Sequence, residues 1–389
     1  MKKNTKVVIV ARSLPLHGIG GMEVVCWDLC LELARRGLKV IVITTQNNSK
    51  EESYNHDNLD VVFLENTKPG RYSRRWWREA SEYFSSLDAE DISAVISISA
   101  AGVSLLKHKD DFKKARFIMQ AHGTSFAEFI SKLKSFSAKK WFASGRNIIW
   151  FFKDWVYYKK FDCIVSIGSA VTESLRSNPT KFITQNVEVV EIENGVDEEM
   201  FKFNMEERTK IRESLGVSDD ALLLLSVSRL HEQKGVDNNI QSFAKIYEKK
   251  RNSYYLICGD GKEKKNLIEL CRKLKIENNV FFLGSMDRIA ISGVMSAADV
   301  FIFLTKRVEG LPLNVLEAMA AGLPVITSKH LSFIENKKIK KIDSSDYDSA
   351  AEFAKELNFL GKPENRESHI PLKNTLAYSV EQYCHLISD

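Results

Sequence analysis

No stretch of this 389-residue chain is apolar for long enough to cross a bilayer as a helix. The opening MKKNTKVVIV is basic and then apolar, as an export signal is. Its apolar run VVIVA stops at Arg12 with no small-residue cleavage site behind it, so it reads as the first strand of a cytoplasmic protein. The six cysteines form no CxxC pair, and no histidine cluster has metal-ligand spacing. They read as structural thiols of a reducing compartment; Cys26 and Cys30, four apart on one helix, share a core face. Low-complexity tracts and short repeats are also missing, as is a GxGxxG fingerprint, which removes the main signal for a dinucleotide oxidoreductase.

What is present is a hydrophobic content of 44% and a charged content of 28%, those of a soluble globular protein long enough for two domains. Residues 1–197 hold 28 Lys and Arg against 23 Asp and Glu, so the net charge of +5 belongs to the first half. Short β-rich runs alternate with helical ones. In the first half they are 6–11, 39–45, 61–64, 94–99, 116–121 and 163–167; the series restarts at 187 and continues at 221–230, 253–261, 280–284, 299–304 and 324–328. Such alternation predicts an α/β chain of two doubly wound, Rossmann-like domains, with ligands beyond the carboxyl ends of the strands and a cleft between the two edges. The boundaries read as 1–200 and 201–372, with a hinge near 194–205. A last amphipathic helix at 373–389, with Leu376, Val380, Tyr383 and Leu386 on one side, is expected to cross back onto the first domain.

Three stretches carry chemistry. Gly20 and Gly21 stand at a helix start, where free amides and the helix dipole attract an anion, although a flexible turn reads equally well. Arg229 and Lys234 lie in a loop between strand and helix, five residues apart, and can straddle a diphosphate; as an isolated pair they also read as solvated surface charges. In RVEGLPLNVLEAMAAGLPV, residues 307–325, Gly310 allows close backbone approach and Pro312 suits a helix start. The amides of Leu313 and Asn314 are then unpaired donors for phosphate. Glu317 can reach an adjoining ribose diol, and Glu309 the group beyond the phosphates. The plainer alternative is that Glu309 complements the helix dipole and Glu317 faces solvent. No Asp-x-Asp motif stands near this site, so no metal is expected.

The order of these pieces changes their weight. GIGGMEVVCWDLCLELARRGLKVIVIT, QAHGT, ENGVDEEMF, SRLHEQKG, FFLGSM and EGLPLNVLEAMAAGLPVITS follow one another over nearly the whole chain. Together the sequence resembles the retaining glycosyltransferases of the glycogen-synthase-like class, family four, with the two-Rossmann GT-B fold and a Glu-x7-Glu motif. The resemblance implies that Arg229 and Lys234 grip the donor diphosphate, with Gly20 and Gly21 closing from the other domain. It implies that Glu317 holds the ribose, that Glu309 stabilises charge on the transferred sugar, that His122 bonds a sugar hydroxyl, and that Ser285 and Met286 lie by the base. The sequence departs from the family at Ser228, at Thr305 and Lys306, and in the loop after Ser328.

The activity implied is retaining transfer of a sugar from a nucleotide-diphosphate sugar, a UDP-sugar above others, to a hydroxyl of a glycan or lipid-linked glycan in bacterial surface polysaccharide or lipopolysaccharide assembly. The nucleotide-sugar is a co-substrate and no cofactor is expected. A nucleotide-sugar epimerase of the same architecture, or a non-catalytic nucleotide-sugar-binding subunit, remains a rival. Residues 139–160, KKWFASGRNIIWFFKDWVYYKK, mix aromatic and basic side chains, as does 74–84; they predict contact with an anionic membrane at its inner face, with aromatic core as the alternative, and no nucleic-acid partner.

Overall fold

The computed structural model describes residues 6–18, 20–47, 57–123, 155–307, 311–357 and 366–388. The chain divides into two compact units, Met1–Gly195 with Leu376–Asp389, and Val196–Thr375. Both are doubly wound parallel α/β units, as the alternation of strands and helices predicts.

In the first unit the strands are β1 (Lys6–Val10), β2 (Lys39–Thr45), β3 (Leu59–Leu64), β4 (Ile92–Ile98), β5 (Arg116–Ala121), β6 (Cys163–Ser166) and β7 (Glu188–Glu191). Their order is β3-β2-β1-β4-β5-β6-β7, and every neighbouring pair is parallel. KVVIV does not alternate polar with apolar because both faces of β1 are covered. Val7 and Ile9 enter one core with Cys26, Leu29, Cys30 and Leu33 of the helix Gly21–Arg35. Val8 and Val10 enter the opposite core with Trp76 and Phe84 of the helix Arg74–Ser85. The last helix, Leu376–Ser388, lies on this unit: Leu376, Val380, Tyr383 and Leu386 are buried in the same core as the helix Gly21–Arg35.

The second unit repeats the plan with β8 (Leu222–Val227), β9 (Ser253–Cys258), β10 (Val280–Gly284), β11 (Val300–Phe303), β12 (Val325–Ser328) and β13 (Ile339–Ile342), in the order β10-β9-β8-β11-β12-β13, all parallel. The LLLL run of β8 splits as the KVVIV run does, with Leu223 and Leu225 in one core and Leu222 and Leu224 in the other. At roughly 1.5–3 kcal/mol per buried leucine, this strand is a main anchor of the unit. β13 pairs with β12 in register from Val325↔Ile339 to Ser328↔Ile342. The lysines hide this strand in the sequence, where the family's loop and strand after Ser328 look reduced; charge on an edge strand is how a sheet avoids further pairing.

One polar cluster fixes the lead-in to β11. The helix Arg288–Ala297 ends in carbonyls that would be left unsatisfied. Arg208 donates to Ala297 O, Arg212 to Ala297 O and Ala221 O, and Arg366 to Ala298 O, at 2.6–2.9 Å. Asp299 counters the charge: its oxygens lie 2.9 Å from Arg208 and 3.3 Å from Arg212, and it also accepts from Leu223 N at 2.8 Å. Burial lowers the Arg366 guanidinium to about 10.

Candidate functional site

At the carboxyl edge of the second sheet, the loops after β8 and β11 are tied to one another by hydrogen bonds to the backbone. After β8, residues 228–235 carry Arg229, which is exposed, and Lys234, which is half-buried with Nζ 5.6 Å from the Phe303 ring centroid. A cation over an aromatic face gains about 0.5–2 kcal/mol, which holds Lys234 above the end of β11. Gly235 closes this turn in the left-handed region (φ 66°), and a Cβ there would sit 1.8 Å from Leu304 O. Only glycine allows the Lys234 turn to approach β11 so closely.

The loop after β11 returns the contact. Thr305 Oγ1 and Lys306 N both donate to Gln233 O, at 3.1 and 3.0 Å, and Lys306 Nζ pairs with Asp237. Thr305 and Lys306, two of the departures from the family pattern, are therefore the residues that tie this loop to the one bearing Lys234. Glu309 and Gly310 lie outside the described residues.

The helix Leu313–Ala320 begins where its first backbone bond, Val315 N to Pro312 O at 3.1 Å, leaves the amides of Leu313 and Asn314 ahead of the ladder. Asn314 Nδ2 donates to Val227 O at 2.7 Å, which fixes this helix start against the end of β8. The helix stops at Gly322 (φ 72°), whose amide bonds Met319 O, while Leu323 N bonds Ala318 O. Glu317 is 8% exposed rather than solvated. Its carboxylate is 3.6 Å from the Arg288 guanidinium, and Arg288 in turn lies over the Phe201 ring at 5.4 Å. Between β10 and Arg288, Ser285 is exposed and Met286 packs partly into the core.

The structure thus brings Arg229, Lys234, Ser285, Met286, Leu313, Asn314 and Glu317 to one sheet edge. Sequence reasoning missed Arg288, although it lies two residues beyond the singled-out Met286. It also missed a cavity of about 240 Å³ at the ends of β12 and β13, lined by Lys329, His330, Ile342, Asp343 and Ser344, with His330 Nε2 2.9 Å from Arg307 O.

Gly20, Gly21 and His122 stand at the carboxyl edge of the first sheet, in the other unit. Gly20 is the N-cap of the helix Gly21–Arg35, and Val24 N bonds its carbonyl at 3.0 Å. His122 directly follows β5, half-buried, and burial pushes its imidazole down to about 4, a neutral ring at physiological pH. The same edge carries features the sequence did not reveal: Arg12 lies over the Tyr72 ring at 4.9 Å, and Tyr72 stacks on Trp77 at 5.0 Å. Of the two aromatic-basic segments, residues 139–154 lie outside the described residues. In 74–84, Trp76 and Phe84 are core, while Arg74, Arg75 and Arg78 are exposed. No helix among the described residues is long and apolar enough to cross a membrane.

The geometry at the second edge, two cations, helix-start amides and a buried carboxylate beside them, fits an anion attached to a diol. Residues 19–200 match the Glycosyltransferase Family 4 description and residues 207–366 that of Glycosyl transferases group 1. The chain is 25% identical over 343 residues to the glycosyltransferase MJ1607 of Methanocaldococcus jannaschii, covering 83% of this chain and 80% of that one. It is 36% identical over 144 residues to the O-antigen biosynthesis glycosyltransferase WclY of Escherichia coli, covering 37% of this chain and 38% of that one. Among solved structures, Anabaena Alr3699/HepE in complex with UDP-glucose superposes with a TM-score of 0.71 at 17% identity, covering 98% of this chain and 99% of that one, a likeness of fold.

Proposed function

The chain belongs to the glycosyl transferases of group 1 and family 4, with the GT-B fold, and from that premise we propose that it moves a sugar from a UDP-sugar to a hydroxyl of a glycan acceptor with retention at the anomeric carbon. The observation that carries this reading is the convergence of Arg229, Lys234, the amides of Leu313 and Asn314, and Glu317 on one sheet edge. Arg229 and Lys234 neutralise the departing diphosphate, and the helix-start amides bind its oxygens. Glu317, steadied by Arg288, accepts from the ribose hydroxyls. His122, at the carboxyl edge of the first sheet, bonds a sugar hydroxyl, and Gly20 and Gly21 at that edge let backbone approach a phosphate. Glu309 stabilises positive charge on the sugar ring.

In this reading the reaction is a same-face displacement. The bond from the anomeric carbon to the diphosphate breaks as the acceptor oxygen attacks, and the leaving phosphate oxygen takes the acceptor proton. The protein supplies positioning and charge compensation, and neither a metal nor a cofactor is required. Two comparison proteins support the finer choices: the Anabaena complex with UDP-glucose for the donor, and the Escherichia coli O-antigen biosynthesis glycosyltransferase for the setting of a glycan or lipid-linked acceptor at a membrane surface.

The test is incubation of the protein with UDP-, GDP- and ADP-sugars, with and without bacterial membrane lipid extract. A glycosylated product formed from a UDP-sugar only with extract supports the proposal. A changed sugar nucleotide without extract would make the protein an epimerase, and binding without turnover under either condition a non-catalytic subunit.

A further inference from the structure

β5 delivers two polar side chains in three residues, Gln120 and His122, and the chain's last helix meets the first of them. Gln120 is 2% exposed and Tyr383 3%. Gln120 Nε2 donates to Tyr383 Oη at 2.7 Å, and Gln120 Oε1 faces His122 Nε2 at 2.8 Å. A carbonyl oxygen cannot donate, so the hydrogen between Gln120 and His122 belongs to the imidazole. A neutral imidazole carries one N–H, so the other ring nitrogen is left with its lone pair.

We propose that Gln120 and Tyr383 are positioning residues that lock His122 in the Nε2–H tautomer, leaving Nδ1 as an acceptor at the carboxyl edge of the first sheet. Tyr383 anchors the donor end of the Gln120 amide, the amide's oxygen holds Nε2–H, and the ring is fixed in both orientation and tautomer. Resting on the proposed function, the consequence is chemical: His122 accepts a hydrogen bond from a sugar hydroxyl and cannot donate one to it. The last helix thereby acts on the site through two hydrogen bonds rather than through packing alone. A carboxyl or carbonyl oxygen orienting the far nitrogen of a functional histidine is a recurring device, and here a glutamine fills that role.

The surroundings leave the amide in charge. β4 carries no titratable side chain, β6 carries Cys163, and residues 99–108 carry Lys107 and His108 at their far end. Burial raises the Cys163 thiol to about 12 and the Tyr383 phenol higher still, so both stay neutral. Among the described residues no charged group shifts His122, and burial alone lowers it.

The test needs no substrate. The full chain labelled with ¹⁵N-histidine gives imidazole spectra that report tautomer and titration directly, with the His122 signals identified by their loss in His122→Asn. The expected result is an Nε2–H ring titrating near 4 in the native protein. Tyr383→Phe and Gln120→Met should each give a mixture of tautomers. Gln120→Glu presents oxygen alone, so it should keep Nε2–H and raise the midpoint by at least two units. An Nδ1–H ring in the native protein overturns the proposal. So does an undiminished Nε2–H population in Tyr383→Phe or Gln120→Met, or a tautomer that switches in Gln120→Glu. Because these spectra are read without donor or acceptor, failure of the lock and failure of the transferase reading are seen separately.

Discussion

The two units share a plan and differ in the bonds that fix their frameworks, neutral ones at the carboxyl edge of the first sheet and buried charge at the amino edge of the second. The first uses neutral hydrogen bonds: Thr45 Oγ1 donates to Arg12 O and accepts from Gly70 N, Thr67 Oγ1 accepts from Gln46 N, and His17 Nε2 reaches Thr45 O and Gln46 O at 3.1 Å. The second buries charge: Arg208 and Arg212, the buried arginines among the described residues, cap one helix around Asp299, and Glu317 pairs with Arg288. A neutral network tolerates loss of a member at about 1 kcal/mol per bond, whereas a buried ion cluster loses far more when one sign is removed. The unit proposed to hold a charged diphosphate is thus the one whose own framework is fixed by charge.

The sharpest way to break this contrast is Asp299→Asn. It leaves Arg208 and Arg212 without their counter-charge, and the expected loss is about 3–5 kcal/mol in urea unfolding. Thr45→Val in the first unit is the matched control, expected to cost about 1–3 kcal/mol through its unpaired neighbours. If the two variants cost the same, the distinction between charged and neutral frameworks fails. Next in size is Lys234→Ala. On the proposed reading it lowers kcat by about 10²–10³, because the leaving diphosphate loses a preplaced cation, while the melting temperature hardly moves. Near-normal turnover would remove Lys234 from the diphosphate site.

How far the sequence could be read follows the same divide. The parallel sheets were legible because KVVIV and LLLL are short apolar runs in a series alternating with helical ones, and Gly322 followed by Pro324 marks the helix stop that the structure has. Arg229, Lys234 and Glu317 are singled out by the ordered resemblance rather than by local spacing, and the structure adds that they share one sheet edge. What escaped was tertiary. Gln120 meets Tyr383 across 263 residues, Thr305 meets Gln233 across 72, and Asn314 meets Val227 across 87. None of these pairs leaves a periodic trace, since one polar side chain bonding a group far along the chain has no sequence signature. Arg208, Arg212 and Arg366 carry no local sign of their shared target, the end of the helix Arg288–Ala297.

Acid sharpens the comparison, because each unit keeps one imidazole neutral. Burial lowers His122 in the first and His369 in the second to about 4, against about 6.5 when unfolded. His369 Nε2 lies 2.8 Å from Leu323 O, just past the end of the helix Leu313–Ala320. Between pH 6.5 and 4 the unfolded chain binds protons that the folded chain does not, so stability falls as pH falls through that window. Both rings are partly accessible, which reduces the expected loss to about 1–2 kcal/mol per histidine. His369→Gln keeps a donor for Leu323 O and should flatten the acid slope of the second unit only, read as unfolding free energy against pH. An unchanged slope would show that His369 already titrates normally in the folded state.

The smallest effect expected is at Asn314. Its Nδ2 is the bond from the helix start to the end of β8, and Asn314→Ala leaves Val227 O without that donor. The stability cost is about 1 kcal/mol, less than for any ion of the Asp299 cluster. The functional cost separates framework from chemistry. On the proposed reading the Leu313 and Asn314 amides bind phosphate through backbone that the side chain holds still, so donor KM should rise several-fold while kcat falls by less than in Lys234→Ala. A variant that lowers kcat as far as Lys234→Ala does, with donor KM unchanged, would mean that Asn314 acts on the transition state itself, and that the neutral tie has a share in the work assigned here to charge.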